Sequence, residues 1–322
     1  MTPVTAIIPT RGRPALLRRA IDSVLAQDGV DVRVLVVIDG PADPESRAVV
    51  DGYSDQPVQA LALSENRGPA YCRSHGAEAA ETEWVAFLDD DDLWYPTKLA
   101  RQMALADAIG GSDLIVSCRS DVVTPSGLYV WPRRLPRPGE RVGDYLFCRR
   151  SLFKGESFVQ ASSILCPRAL MLAHPQRPVA HEDWDWLLDC CERGSARLVI
   201  ASEPLVRHYT EFKRASLSNQ HQMQASIRWA LAQRRTLSPR AYAGLMLQVV
   251  NGALVERGDW RQARRLLGIA LNHGRPRLMD LSFFALQWLL PVSARRRLRR
   301  LMTGQGPDNR PPEQEQAQET PV

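Results

Sequence analysis

Trp84-Val85-Ala86-Phe87-Leu88-Asp89-Asp90-Asp91-Asp92-Leu93-Trp94-Tyr95-Pro96 is the stretch on which the fold turns. Five apolar residues run straight into four aspartates, and Pro96 suits the first turn of a new helix. The acids therefore occupy a tight strand-to-helix crossover. Clustered carboxylates repel one another, and a bare cluster responds by raising some of its pKa values, so a fold that sets one beside its core supplies a counter-charge. Hard cations such as Mg²⁺ or Mn²⁺ take carboxylate oxygens, keep several waters and complete their shells with substrate phosphates. The stretch predicts a metal–diphosphate site at the carboxyl end of a strand, where open α/β sheets bind ligands. The alternative is a solvated turn that caps the helix beginning near Pro96-Thr97-Lys98.

Working outward, residues 1–115 alternate strand and helix signals. Val4–Pro9, Val32–Ile38, Val58–Leu63 and Trp84–Leu88 are strand-like, and Val32–Ile38 is a continuous Val/Leu/Ile run of the kind a parallel sheet buries on both faces. Pro14–Gln27, Glu45–Tyr53 and Gly68–Ala80 carry helical periodicity. Repeated βαβ units predict an α/β fold with a mostly parallel sheet and right-handed crossovers. Thr10-Arg11-Gly12-Arg13, Asp39-Gly40-Pro41 and Asp89 to Asp92 would then converge on one sheet edge, where a nucleotide would sit. From 116 to 222 the pattern is mixed. Short strands are expected at Leu114–Cys118, Leu128–Trp131, Ser162–Cys166 and Arg197–Ile200, with one helix at Trp184–Arg193. Helices dominate from 224 to about 302, with Tyr242–Arg257 and Trp260–Asn272 as a pair joined at Gly258-Asp259. Residues 303–322, rich in Pro, Gln, Glu and Gly, have little to bury and are expected to be disordered.

The net charge of +5 hides a division. Residues 1–223 hold 25 Lys and Arg against 29 Asp and Glu, residues 224–302 hold 15 against 3, and residues 303–322 hold 1 against 4. A basic segment joined to a mildly acidic one points to a polyanion or an anionic membrane surface as a second partner. The six cysteines lack metal-type pairing and read as reduced thiols of a cytosolic protein. The start of the chain has neither a basic region nor a long apolar core, so no leader is expected. Leu281 to Val292 is too short to span about 30 Å of hydrocarbon.

Taken together, these residues resemble the family-two glycosyltransferases, inverting nucleotide-sugar-dependent enzymes with a GT-A-type fold. The resemblance covers about residues 4–212. It is carried by Ile8-Pro9-Thr10-Arg11-Gly12-Arg13-Pro14, where Arg11-Gly12 replaces the family's usual Tyr-Asn, and by Ala20-Ile21-Asp22-Ser23-Val24-Leu25-Ala26-Gln27. Asn66-Arg67-Gly68-Pro69-Ala70 with Arg73, and Phe87-Leu88-Asp89-Asp90-Asp91-Asp92-Leu93-Trp94, complete it. The resemblance implies that Asp39 contacts the nucleotide base, that Thr10 and Arg13 line the same pocket, and that Arg73 lies near the diphosphate. It places Asp89 near the ribose, Asp90 among the nucleotide-sugar-binding residues, and Asp91 as the metal ligand, with Mn²⁺ or Mg²⁺ as cofactor. Taken alone, Asp39 before Gly40-Pro41 could equally stabilise a turn, and Arg73 could be an ordinary helix residue.

His181-Glu182-Asp183-Trp184-Asp185-Trp186 resembles the family's Glu-Asp pair, with Asp183 as general base and Glu182 beside it. The chemistry agrees, because inversion at the anomeric carbon needs one carboxylate to take the acceptor hydroxyl's proton. Helix capping by the two acids is the alternative. Trp184 and Trp186 are expected in the core before a sugar-stacking role. The family's histidine before Ser216-Leu217-Ser218 is replaced by Lys213, with His208 five residues earlier. Gln224-Ala225-Ser226-Ile227-Arg228-Trp229 nearly reproduces the Gln-x-x-Arg-Trp motif of processive synthases but has one residue too many, which favours addition of a single sugar.

The resulting expectation is a glycosyltransferase domain over 1–222, divided into a nucleotide-sugar half (1–115) and an acceptor half (116–222). A basic helical extension (223–302) and the tail (303–322) follow. The donor is a nucleotide-diphosphate sugar and the acceptor a glycan or lipid-linked sugar in cell-surface synthesis. Nucleic acid is not an expected partner. The location is the cytoplasm, with residues 281–300 against the inner membrane face. The alternatives are a nucleotidyltransferase, which would show a glycine-rich phosphate loop near the first strand, and a non-catalytic binding protein on the same fold.

Overall fold

The computed structural model describes residues 2–41, 43–125, 127–151, 154–210 and 219–290. The first half runs β1 (Val4–Thr10), α1 (Pro14–Leu25), β2 (Val32–Ile38), α2 (Pro44–Asp51), β3 (Val58–Ala62), α3 (Pro69–Ala79), β4 (Trp84–Phe87), β5 (Leu93–Trp94) and α4 (Lys98–Ile109). Then come β6 (Leu114–Thr124), β7 (Gly127–Trp131), α5 (Val142–Phe147), a 3₁₀ turn at Ala161–Ser163, β8 (Leu165–Pro167), α6 (Arg168–Ala173), α7 (Glu182–Leu188) and β9 (Arg197–Tyr209). The chain closes with α8 (Asn219–Ala232), α9 (Pro239–Gly244), α10 (Asn251–Arg257), α11 (Trp260–His273) and α12 (Leu278–Leu289).

These strands form one sheet in the order β3-β2-β1-β4-β8-β6-β9-β5, with β7 on the free side of β6. β3, β2, β1 and β4 are parallel, as the βαβ pattern predicts. β8 enters antiparallel between β4 and β6, and β9 runs parallel to β6. The apolar runs are explained by burial on both faces. Ala6, Ile8, Val34, Val36 and Ala86 pack toward α1, α2 and α4, while Ile7, Leu35, Val37, Val85 and Phe87 pack toward α3, α6 and α7. β1, β2 and β4 end together, which gathers Thr10, Asp39 and Asp89 at one edge.

The second half departs from the sequence expectation in element length. β6 extends to Thr124 and β9 to Tyr209, because register shifts around Arg119 bulge the pair and break the alternation by which a strand is recognised. Ser162–Cys166 is a 3₁₀ turn followed by a three-residue strand. The helix expected over Tyr242–Arg257 is split by a π-helical turn at Leu245–Val250. Gly258 ends α10 with φ +70°, and Asp259 caps α11 by accepting from the Gln262 N–H at 3.1 Å.

The helices after residue 219 share the core that holds Ile7 and Phe87. Met223, Ile227, Leu247, Leu266 and Phe284 join the same buried cluster. Gly244 makes this approach possible, since a Cβ there would lie 2.0 Å from the Phe147 carbonyl oxygen. Tail residues 291–322, with their expected disorder and Arg295 to Arg300, lie outside the described residues.

One core feature carries a pH signature. Lys98 is fully buried, with Nζ 2.7 Å from the Gln102 side-chain oxygen and 3.9 Å above the centre of the Trp94 ring. Cys118 is the titratable neighbour, and no carboxylate pairs with this ammonium among the described residues. Burial pushes the Lys98 pKa down to about 7. Its folded value lies below the unfolded value of roughly 10.4, so the unfolded chain binds the extra proton between those limits and stability rises with pH across that window. Relative to Lys98→Met, the wild-type unfolding free energy should increase by on the order of 3 kcal/mol from pH 7 to 10. Denaturant titrations of both proteins at several pH values check this. Parallel curves would mean that Lys98 stays charged.

Candidate active site

Beyond β4 the four aspartates each meet different partners. The Asp89 carboxylate accepts from Arg73 Nη2 at 2.5 Å. Asp90 accepts from Thr10 Oγ1 at 2.8 Å and from Arg13 Nη1 at 2.9 Å, and the same Nη1 reaches Asp91 at 2.9 Å. Asp92 turns inward, accepting from Ser162 Oγ at 2.6 Å and the Tyr209 N–H at 3.1 Å and facing His208 Nδ1 at 2.9 Å. Ser162 Oγ also accepts from the Asp89 N–H at 3.0 Å, so the 3₁₀ turn braces both ends of the run. Burial pushes Asp90 up to about 6 despite Arg13 and Thr10, and Asp91 is raised by burial and by the negative charges of Asp89 and Asp92 beside it. The counter-charge that the sequence demands is supplied here by two arginines.

Thr10, Arg13, Asp39, Asn66, Gly68 and Asp90 line a cleft of about 340 Å³ at the carboxyl ends of β1 and β2. Asp39 is buried and accepts from the backbone N–H groups of Arg67 at 2.7 Å and Gly68 at 3.1 Å. It thereby fixes the loop that enters α3 while remaining part of the cleft wall. Gly68, at φ +84°, lets that loop close over the aspartate.

Arg73 sits on α3, 2% exposed, between the acidic run and the start of α7. Its Nη1 reaches Gln176 Oε1 at 3.2 Å, Glu182 at 3.1 Å and Asp183 at 3.5 Å, while Nη2 holds Asp89. Asp183 also accepts from the Ala161 N–H at 3.1 Å. Burial is the largest influence on Asp183 and raises its pKa, with Arg73 opposing and Asp89 adding to the rise. Glu182 is raised in the same way. Neither acid caps α7: the N-cap is His181, in the left-handed region at φ 58°, without a side-chain cap bond. A carboxyl raised from its ordinary range and still partly open to solvent, as Asp183 is at 24% side-chain exposure, is suited to accept a proton.

Oxygens of Asp89, Asp91 and Asp92 lie within 4.8 Å of one another, a hard donor set that fits Mg²⁺ or Mn²⁺. Their side chains are not equally available. Asp89 is 32% exposed and Asp91 17%, whereas Asp92 is fully enclosed and committed to Ser162, His208 and the Tyr209 backbone. Asp91, then Asp89, could hold a cation, with Asp92 behind them orienting the turn.

The structure thus brings Thr10, Arg13, Asp90 and Asp91 together, and Arg73, Asp89, Glu182 and Asp183 together. Lys213 and Ser216-Leu217-Ser218 lie outside the described residues. Sequence reasoning missed Ser162, Gln176 and the Asp92–His208 pair. Asp92 stood in the acidic run, but nothing local marks Ser162 or Gln176. Trp186 is core, 1% exposed, whereas Trp184 stacks on His181 with ring centres 5.0 Å apart. Trp229, at the end of the near-motif on α8, donates through Nε1 to Asp185 at 2.9 Å and so ties α8 to the helix of the base candidate.

Residues 5–170 match the glycosyl transferase family 2 model. The chain belongs to this family. It is a glycosyltransferase on a GT-A fold, which sets aside the nucleotidyltransferase alternative. It is 40% identical over 124 residues to the succinoglycan biosynthesis protein ExoO of Rhizobium meliloti, a match spanning 38% of this chain and 35% of that relative. It is 26% identical over 247 residues to the amylovoran biosynthesis glycosyltransferase AmsB of Erwinia amylovora, spanning 73% of this chain and 79% of that relative. Among solved structures, the glycosyltransferase resembles TarS 1-349 of S. aureus in complex with UDP-GlcNAc, with a TM-score of 0.58 and 16% identity over 95% of this chain and 93% of that one. It also resembles the mannosyltransferase PcManGT of Pyrobaculum calidifontis in complex with GDP-Man and Mn²⁺, with a TM-score of 0.56 and 17% identity over 88% of this chain and 83% of that one. At these identities the likeness speaks for the fold.

Proposed function

We propose that this glycosyltransferase is inverting and metal-dependent, and moves a single sugar from a nucleotide-diphosphate sugar to an acceptor hydroxyl in cell-surface glycan or glycolipid synthesis. The observation that carries the reading is the single Arg73 guanidinium joining Asp89, on the donor side, to Asp183 and Glu182. Donor and acceptor chemistry meet at that group. Asp39, Thr10, Arg13 and Asp90 bind the nucleotide in the cleft. The acceptor oxygen attacks the anomeric carbon opposite the diphosphate, Asp183 takes its proton, and the bond to the diphosphate oxygen breaks. A divalent cation held by Asp91, with Asp89, would offset the charge growing on the leaving diphosphate, so that no acid need protonate it. Glu182 and Arg73 orient Asp183.

The domain assignment follows: residues 1–222 carry transfer, and 223–302 form a basic extension that docks on the cytoplasmic face of a membrane near a lipid-linked acceptor. The extra residue in Gln224 to Trp229 supports single-sugar addition. No helix among the described residues is long and apolar enough to cross a membrane. All six cysteines are free thiols, which agrees with a reducing compartment.

Thermal melting of the protein with UDP, GDP, CDP and dTDP, each with and without Mn²⁺, tests the donor site. A metal-dependent rise for one nucleotide is expected, because a ligand that binds only the folded state raises stability with its concentration. No rise with any of the four would remove the proposed ligand of the acidic run.

A further inference from the structure

The basic extension has a face that its packing does not use. In α11, Ala263, Leu266 and Ala270 point into the core. Trp260, Arg264 and Leu271, spaced by four and seven residues, share the outer edge of the helix, with Arg261 and Arg265 beside them. Trp260 packs one edge against Trp288, ring centres 5.0 Å apart, and is still 46% exposed, while Leu271 is 53% exposed. The turn into α12 adds Arg275, Arg277 and Leu278, the last 80% exposed, and Leu289 at the far end of α12 is 77% exposed. With Arg257 at the end of α10, six arginines are exposed here, and among the described residues none forms an ion pair with a carboxylate. Asp259, the only acid from 257 to 278, is occupied in capping α11, and Asp280 is buried against Gln248 and the Arg277 N–H.

The apolar stretch of α12 itself is turned inward. Phe284 is buried, and Trp288 donates to Asn251 Oδ1 at 3.0 Å. Of the stretch 281–300 expected to meet a membrane, Leu289 is the exposed apolar residue among the described residues, and the other exposed apolar side chains of this face, Trp260, Leu271 and Leu278, lie before it.

We propose that this face, Trp260 to Leu278 with Leu289, docks on an anionic lipid surface and holds the glycosyltransferase where a lipid-linked acceptor is found. The docking rests on the proposed function for its purpose, and on its own residues for its chemistry. A soluble polyanion would satisfy the guanidinium groups but leave Leu271, Leu278 and Leu289 facing water. A bilayer interface takes both at once, with leucines and Trp260 at the acyl boundary and arginines among the headgroups. Five further arginines, between 295 and 300, follow in the sequence.

Sedimentation of the full chain with vesicles of phosphatidylglycerol and phosphatidylcholine tests the proposal. Binding is expected to the mixed vesicles and not to pure phosphatidylcholine, and to weaken as salt rises. Each arginine near the surface should contribute about fivefold, so Arg264→Glu with Arg265→Glu should weaken vesicle binding at least tenfold. Leu271→Ser with Leu278→Ser, both at exposed positions, should weaken vesicle binding while leaving retention on heparin unchanged. Failure of the wild-type chain to bind anionic vesicles overturns the proposal, as does a leucine variant that binds them like wild type, which points to a soluble polyanion. Nucleotide-dependent melting of the same variants should be unchanged. A chain that binds vesicles but shows no nucleotide response would keep the docking face and count against the proposed donor site alone.

Discussion

Asp183→Asn should lower transfer by roughly 10²- to 10⁴-fold, the usual contribution of a positioned general base, while leaving nucleotide-dependent melting nearly unchanged. Asparagine keeps the shape of the side chain and can still accept from the Ala161 N–H, which the aspartate does at 3.1 Å. What it loses is the capacity to take a proton. The cleft proposed to hold the nucleotide is lined by Thr10, Arg13, Asp39, Asn66, Gly68 and Asp90, none of which hydrogen-bonds to Asp183. An equal fall in transfer and nucleotide binding would remove Asp183 from the base role and make it a support of the cleft.

Arg73→Met should have a double effect. Removing one partner of a buried ion pair typically destabilises by about 3–5 kcal/mol, and Asp89, Glu182 and Asp183 would lose their shared cation at once. Those carboxylates keep between 24% and 32% side-chain exposure, so water screens part of the loss and the lower end of that range is expected. The second effect concerns pH. Arg73 favours the charged form of Asp183, so its loss raises that carboxyl further. The proposed base is then protonated over a wider acidic range, and the acid limb of the kcat/KM profile is expected to move to higher pH. Arg73→Lys should recover only part of either effect, because one ammonium cannot span the two sides that the planar guanidinium joins. A melting temperature that falls with an unmoved acid limb would leave Arg73 as a structural bridge without influence on the base.

Much of the fold was legible because its signals are local. The double-faced burial of β1, β2 and β4 appears as continuous apolar runs, and a strand that must end at a ligand edge appears as Leu88 giving way to Asp89. The elements that escaped are those in which context overrides periodicity. β9 runs through exposed Ser202, Glu203 and Pro204, where the bulge opposite Arg119 removes the alternation. α12 is apolar by sequence, yet its inner side is spent on Asn251 and the core.

The sequence by itself determined that four carboxylates stand at the carboxyl end of a parallel strand, that Thr10, Arg13 and Asp39 reach the same edge, and that Glu182 and Asp183 open a helix. These are properties of short segments, set by strand and helix periods and by chain reversal. Only the tertiary structure decided how the four aspartates divide. Ser162, some 70 residues downstream, draws Asp92 inward. Arg13 from the first turn takes Asp90 and Asp91. Arg73 binds Asp89 to a base candidate 110 residues away from itself. Adjacent identical residues carry no local signal to distinguish them, so their separate fates depend on which distant groups packing brings within hydrogen-bond reach, and on how much water packing removes from each.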